Sequence, residues 1–187
     1  MTTKTIKFVI VILILCIFLV AMPASTKTHN FMAIAQSKEM QIVKLGKTDE
    51  EAIRKILLGK WRKLWSTGNG KFTFKGYEQL FLTNDSFTSV STLSPSLTLI
   101  NNWQTYSDIW EPYMNREPNT WKITQIDVNK ISVAGDMAWS SINLYGQDTL
   151  DGKELHTSEH CTHIWRKIDG QWSIVYEHVS GPINLNA

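Results

Sequence analysis

The pattern of hydrophobic and polar positions begins with an uninterrupted apolar run at residues 8–22, preceded by Lys4 and Lys7. Its length of about fifteen residues suits the core of an export signal better than the roughly twenty needed to cross a bilayer. Two interpretations stay open: a cleaved signal that exports the protein to the periplasm or medium, and an uncleaved membrane anchor through residues 8–22. We assign residues 1–35 to this segment and a linker, and residues 36–187 to one domain.

Helical spacing dominates the first half of that domain. Thr48 and Glu51 form a capping-box pattern, which predicts that a helix begins at Thr48. One apolar stripe follows until Gly68, made of Ile53, Ile56, Leu57, Trp61, Leu64 and Trp65. A short helical turn at residues 76–82 and a strand at 85–90 come next. The three- and four-residue spacing of Trp103, Tyr106 and Trp110 predicts a second helix, which Pro112 should end or kink.

Strand patterns occupy the second half of the chain. Polar and apolar positions alternate at residues 121–130 and 138–145, with turn residues at 134–136 and 151–152 and a final hairpin after them. Consecutive strands with short turns favour antiparallel pairing. Helices followed by strands predict an α+β domain, with helices covering one face of the sheet.

The final hairpin has the most defined pattern. Asp169-Gly170 between two apolar runs is typical of a two-residue turn, which fixes the register by counting outward. One face then carries chemically useful groups: Glu159, Cys161, His163 and Trp165 on one strand, and Ile174, Tyr176, His178 and Ser180 opposite them. Glu177 is predicted on the other face.

Charge and cysteine content narrow the classes of function. Beyond residue 35 the chain has 16 basic and 17 acidic residues, so nothing in its charge indicates a nucleic-acid partner. Cys161 is the only cysteine of that part, which excludes an internal disulfide. The exported domain must therefore be stabilised by packing.

Three motifs resemble the SnoaL-like branch of the nuclear transport factor 2-like superfamily. They are Trp103-x-x-Tyr106-x-Asp108, Ala134-Gly135-Asp136-x-Ala138-Trp139, and the hairpin from Thr162 to Ser180. The hairpin is also similar to the association domain of calcium/calmodulin-dependent protein kinase II. The resemblance implies a cone-shaped, curved antiparallel sheet wrapped around the N-terminal helices, an internal pocket, and a homodimer.

In such a cone the chemically useful face of the hairpin would line the pocket. We therefore predict His163, His178 and Tyr176 as catalytic residues, with a histidine as base and the phenol as donor, acting without a cofactor on a small, largely apolar molecule. Isomerase, cyclase or dehydratase chemistry fits this set. Five further residues are predicted to contact the ligand: Trp103, Tyr106, Cys161, Trp165 and Glu159.

Other interpretations of the same residues stay open. The histidines and tyrosine can simply satisfy each other's hydrogen bonds in a non-catalytic assembly or accessory domain. Cys161 opposite His178 suggests a thiolate nucleophile, although free cysteines are usually buried and inert. His156, His160 and His163 have metal-like spacing, but His160 and His163 point to opposite faces of a strand. We therefore predict no metal site.

Overall fold

The computed structural model describes residues 27–68, 70–93, 98–116, 120–150 and 152–181. The chain divides into two units at Lys44/Leu45. In the described part of the first unit, residues 27–44 are helical. No helix of the described ranges is long and apolar enough to cross a membrane, and the predicted export segment lies outside them.

Two main helices precede the longer strands. Helix α1 spans Lys27–Ile56 and continues through a π-helical turn, Leu57–Trp61, and a helical turn, Arg62–Leu64. A 3₁₀ turn covers Tyr77–Gln79, and helix α2 spans Trp103–Met114. Asn102 caps α2, since its side chain accepts a hydrogen bond from the Thr105 N–H at 2.7 Å. Pro112 lies within the last turn and does not end the helix.

The predicted helix start at Thr48 is wrong, because α1 runs through this position without interruption. The neighbouring Asp49 contacts the sheet instead. Its Oδ1 accepts hydrogen bonds from Lys167 Nζ at 2.7 Å and from Trp172 Nε1 at 3.0 Å. Asp49 therefore joins α1 to the final hairpin.

Six strands form one curved, unclosed sheet in the order β2-β1-β6-β5-β4-β3. Their bounds are β1 Thr88–Ser91, β2 Thr98–Ile100, β3 Lys122–Ala134, β4 Met137–Leu150, β5 Lys153–Ile168 and β6 Gln171–Ser180. The predicted α+β class is confirmed. The sheet is mixed, however, since β1 pairs with β6 in parallel, and β2 was not among the predicted strands.

A β-bulge on β6 changes the predicted register of the hairpin. Ile168 pairs with Gln171 and Trp165 with Ile174 as predicted, but Ile164 then pairs with Tyr176. Val175 is the additional residue, and every position after it is shifted by one. The predicted register is therefore wrong beyond Ile174.

Beyond Val175 this shift moves each β6 side chain to the face opposite the predicted one, because side chains alternate along a strand. Glu177 and Val179 are buried, whereas Tyr176 and His178 lie on the outer face. His163 pairs with Glu177, and His178 pairs with Thr162. The proposed Cys161–His178 pair consequently does not form, and Cys161 pairs with Val179.

The core lies between the helical segments and the inner face of the sheet. Its largest buried side chains are aromatic and include Trp165, Tyr77, Tyr106, Phe81 and Phe87. Tyr106 is packed among several rings, with Phe87 at a centroid distance of 5.0 Å and Trp103 at 5.2 Å. Aromatic packing thus stabilises a domain that has no disulfide in its described part.

Candidate functional site

A cavity of about 800 Å³, including its open mouth, lies between the helical segments and strands β3 to β6. The enclosed part, which is the volume comparable with cavities of other proteins, is about 100 Å³, so the site suits a small ligand rather than one that needs several hundred cubic ångströms. Its aromatic lining consists of Trp61, Trp65, Trp110, Tyr113 and Trp121. Its aliphatic lining includes Leu93, Met114, Ile123, Leu144, Leu155 and Val179. The walls are therefore predominantly apolar.

The π-helical turn Leu57–Trp61 ends at Trp61, and Trp65 follows four residues later. Both tryptophans line the cavity. Such turns are rare and widen a helix locally, so they change where the following side chains point. The two indoles are 6.3 Å apart between ring centroids, and Trp65 is 5.9 Å from Trp110 on α2. The three rings form a continuous wall.

Gly146 on β4 makes room for Trp121. A Cβ atom at this glycine would lie 1.8 Å from the Trp121 Cη2 atom, far inside contact distance. Only a residue without a side chain allows the indole to lie across the strand at this point. Gly146 therefore determines where the Trp121 ring stands in the cavity lining.

The charged residues Arg116 and Asp148 are paired in the cavity lining. Arg116 Nη2 is 3.4 Å from Asp148 Oδ2, and the guanidinium carbon lies 4.2 Å from the centroid of the Tyr113 ring. Thr120 donates a hydrogen bond to Asp148 Oδ1 at 2.7 Å. Half of the Arg116 side chain is exposed, so this pair lies at the mouth and the guanidinium charge is already compensated.

Glu177 is the most deeply buried charged residue of the lining, with 1% exposure. Its Oε1 accepts a hydrogen bond from the Tyr106 hydroxyl at 2.5 Å. Burial and the nearby Glu177 charge raise the pKa of Tyr106, which keeps the phenol protonated as a donor. Oε2 lies 3.3 Å from His163 Nε2, but the two atoms are not aligned for a hydrogen bond.

His163 lies behind Glu177 in a fully buried polar chain. Its Nδ1 is 3.2 Å from Ser140 Oγ, and Ser140 Oγ accepts the Trp165 indole N–H at 2.9 Å. Because that acceptor role leaves the serine proton available, Ser140 can donate to Nδ1 and place the ring proton on Nε2, beside Glu177. The chain from Trp165 to His163 therefore holds the imidazole beside the carboxylate that lines the cavity.

Glu159 and Cys161 extend the lining along β5. Burial, and after it the negative charge of Glu177, raises the pKa of Glu159 from 4.5 to about 7. Burial and the charges of Glu177 and Glu159 also raise the pKa of the Cys161 thiol well above its usual value. Cys161 is therefore a buried thiol, and Glu159 is a carboxyl group that exchanges a proton near neutral pH.

Three indole N–H groups of the aromatic wall have no hydrogen-bond acceptor among the described residues. They belong to Trp61, Trp65 and Trp110, whose Nε1 atoms are all buried. The Thr157 hydroxyl, which also lines the cavity, is unpaired in the same way. The apolar walls thus carry a few hydrogen-bonding groups, as sites for small molecules commonly do.

The predicted site residues are only partly brought together. Glu159 and Cys161 line the cavity, and His163 and Tyr106 contact it through Glu177. The remaining four lie elsewhere: Trp103 and Trp165 pack in the core, and Tyr176 and His178 lie on the outer face. Whether any of them contributes to catalysis stays a prediction.

Glu177 is the main residue that the sequence placed incorrectly. The bulge at Val175 brings it inward, and no glycine or proline near that position indicates an irregular strand. One signal was present in the sequence. Trp172 and Ile174 are two residues apart, whereas Val179 follows Ile174 after five residues, so a regular strand would place Val179 on the opposite face from the other two.

The family model of the SnoaL-like domain matches residues 63–184. The chain belongs to this family. No curated protein matches it significantly. Among solved structures, this SnoaL-like domain is similar to a nuclear transport factor 2-like superfamily protein from Salmonella enterica serovar Typhimurium, with 20% identity and a TM-score of 0.55 over 72% of this chain and 93% of that one.

Two further structures share the fold of the SnoaL-like domain. A nuclear transport factor 2-like protein from Shewanella oneidensis is 17% identical, with a TM-score of 0.52 over 72% of this chain and 98% of that one. The hub of the calcium/calmodulin-dependent protein kinase II from S. rosetta is 20% identical, with a TM-score of 0.53 over 73% and 96%. The fold and the resemblance inferred from the sequence are thereby confirmed.

Proposed function

We propose that this SnoaL-like domain binds a small, largely apolar molecule in the cavity between its helical segments and its sheet. The observation that carries the proposal is a wall of tryptophan rings that encloses only a few polar groups. Water forms few hydrogen bonds with such a surface, whereas a flat apolar ligand buries its own apolar area there and contacts the rings. The unpaired indole N–H groups favour a ligand with an acceptor oxygen, such as a carbonyl group.

Binding can be measured by calorimetry with 1-naphthylmethanol, a neutral aromatic probe. Thr157→Trp fills the cavity from β5, and Ser158→Trp places the same indole on the opposite, exposed face of that strand as a control. We expect the first substitution to weaken binding at least about tenfold and the second to leave it unchanged. Equal affinity in all three proteins would show that the probe binds elsewhere and would contradict the proposal.

The two carboxyl groups of the cavity favour cofactor-free acid/base chemistry on the bound molecule. Glu159 exchanges its proton near neutral pH, which is the property a general acid or base requires. Glu177 is oriented by Tyr106 and lies in the same lining. One carboxylate would take a proton from the carbon beside a ligand carbonyl while the other carboxyl group, in its protonated form, gives its proton to the carbonyl oxygen. The enol would then return the oxygen proton to the second carboxylate and regain a proton at carbon from the first carboxyl group.

Deuterium exchange into 1-tetralone, followed by nuclear magnetic resonance, tests this chemistry. We expect the wild-type protein to accelerate exchange at the carbon beside the carbonyl, and Glu159→Gln and Glu177→Gln to reduce the rate by about a hundredfold or more. The Thr157→Trp protein, whose cavity is filled, is the control. Exchange that is equally fast in the blocked protein would remove the cavity from the reaction.

A homodimer is a second candidate function of the fold, favoured by an apolar row on the outer face. Trp139, Ile164 and Tyr176 pair in register across β4, β5 and β6, and Trp139 is 43% exposed. Exposed aromatic rows of this kind are typical of interfaces. We propose that a second copy of the chain covers this row.

Sedimentation measurements test the dimer. Trp139→Glu places a charge in the row and should convert a dimer to a monomer, whereas Lys122→Glu changes an exposed position at the start of β3 and should not. A wild-type protein that sediments as a monomer at micromolar concentration would contradict the proposal.

A further inference from the structure

The cavity has an uneven distribution of charge. Arg116 and Asp148 compensate each other at the mouth. Farther along β5 and β6 the lining contains Glu159 and Glu177, and the described lining residues include no second lysine or arginine. The interior is therefore negative when both glutamates are ionised.

The Glu177 carboxylate retains an unpaired oxygen. Oε1 accepts the Tyr106 hydroxyl, whereas Oε2 makes no hydrogen bond, because its neighbour His163 Nε2, 3.3 Å away, is not aligned with it. A buried carboxylate oxygen without an aligned donor is costly, because hydrogen bonds to charged groups are stronger than those between neutral groups. A ligand that brings a donor to this oxygen would recover that stabilisation.

The aromatic wall favours a donor that is also positively charged. Cations are attracted to the faces of aromatic rings, most strongly to tryptophan. Trp61, Trp65, Trp110 and Trp121 line the same cavity as the two carboxylates. A neutral hydroxyl group would satisfy Oε2, but it would compensate neither the negative charge nor the ring quadrupoles.

We propose that the ligand is an apolar molecule with one protonated amine, and that the ammonium group lies between Glu177 and Glu159 and against the cavity tryptophans. This inference rests on the proposed binding function and adds the charge of the ligand to it. The carboxylates supply the attraction and the acceptors, and the rings supply the apolar contact.

Three probes with one ring system separate the two proposals: 1-naphthylmethylamine, 1-naphthylmethanol and 1-naphthoate, each titrated into the full-length chain by calorimetry at pH 8. We expect the amine to bind at least about tenfold more tightly than the alcohol, and the carboxylate to bind more weakly than both. If the alcohol binds and the amine is no tighter, the charge inference fails and the binding proposal stands. If none of the three binds, both fail.

Substitutions test whether the carboxylates cause the preference for the amine over the alcohol. In Glu177→Gln the amine should bind no more tightly than the alcohol, while the alcohol changes less than about twofold. Glu159→Gln should reduce the preference in part, and it supplies a second variant if the buried Glu177 position does not tolerate substitution. Glu154→Gln, on an exposed side chain of the same strand, is the matched control. An undiminished preference in both cavity variants would overturn the inference.

The pH dependence of the amine preference separates the contribution of Glu159 from the contributions of its neighbours. Tyr106, His163 and Cys161 face the two carboxylates, and the paired Arg116 and Asp148 lie at the mouth. Lowering the pH from 8 to 5.5 should reduce the amine preference of the wild type, because Glu159 then holds a proton. The preference of Glu159→Gln should stay constant. An equal loss in that variant would contradict the role of Glu159.

Discussion

Replacing Glu159 with glutamine should stabilise the protein, and the gain should increase with pH. The pKa of Glu159 is raised from 4.5 to about 7 by burial and by the charge of Glu177. The folded protein therefore holds a proton that the unfolded chain has already lost. This destabilisation is absent well below pH 4.5, increases between 4.5 and about 7, and is complete above that range.

The magnitude follows from the two pKa values. Each tenfold difference in acid dissociation corresponds to about 1.4 kcal/mol, so the full effect is about 3 kcal/mol. About 1.4 kcal/mol of it is already present at pH 5.5. The free energy of unfolding of Glu159→Gln relative to wild type should therefore increase by roughly 2 kcal/mol between pH 5.5 and pH 8.

Urea denaturation followed by tryptophan fluorescence at both pH values measures this difference. Comparing one variant at two pH values cancels the pH-independent cost of burying the amide. Glu51→Gln is the control, because this side chain is exposed on α1 and is not part of the cavity lining. A pH-dependent gain below about 0.5 kcal/mol for Glu159→Gln would refute the view that this carboxyl group is buried beside Glu177.

Three other substitutions or treatments test the structure. Gly146→Ala should displace Trp121, destabilise the fold by about 1–3 kcal/mol in chemical denaturation, and weaken probe binding in calorimetry. Asp49→Ala removes the acceptor of Trp172 and should cost about 1–3 kcal/mol, while Asp49→Asn should retain part of that stability. Cys161 should react with a thiol reagent in urea but not in the native protein. Rapid labelling of the native protein at Cys161, distinguished from Cys16 by mass spectrometry of the peptides, would contradict its burial.

Short-range patterns in the sequence predicted much of the fold. The spacing of Trp103, Tyr106 and Trp110 indicated α2, and the turn at Asp169-Gly170 gave the correct pairing of Ile168 with Gln171. Both features depend on contacts within a few residues, which the sequence expresses directly. The start of α1 was misjudged because Thr48 and Glu51 have the spacing of a capping box, although the helix already runs through both positions.

The candidate site depended on one backbone irregularity. Counting from the turn placed Tyr176 and His178 inside and Glu177 outside. The bulge at Val175 reverses this arrangement. A bulge depends on how β6 is held between β5 and β1, where Tyr176 pairs with Thr88. No short-range pattern contains that information.

The sequence by itself determined the α+β class, the family resemblance and the cavity-lining residues Glu159 and Cys161, because alternation and turn chemistry are local. Only the tertiary structure placed Glu177 in the cavity, joined it to Tyr106 and His163, and shifted the pKa of Glu159. Burial, register and the meeting of charges from different strands are properties of the assembled fold. The composition of the cavity lining is therefore decided by packing, although each of its residues is visible in the sequence.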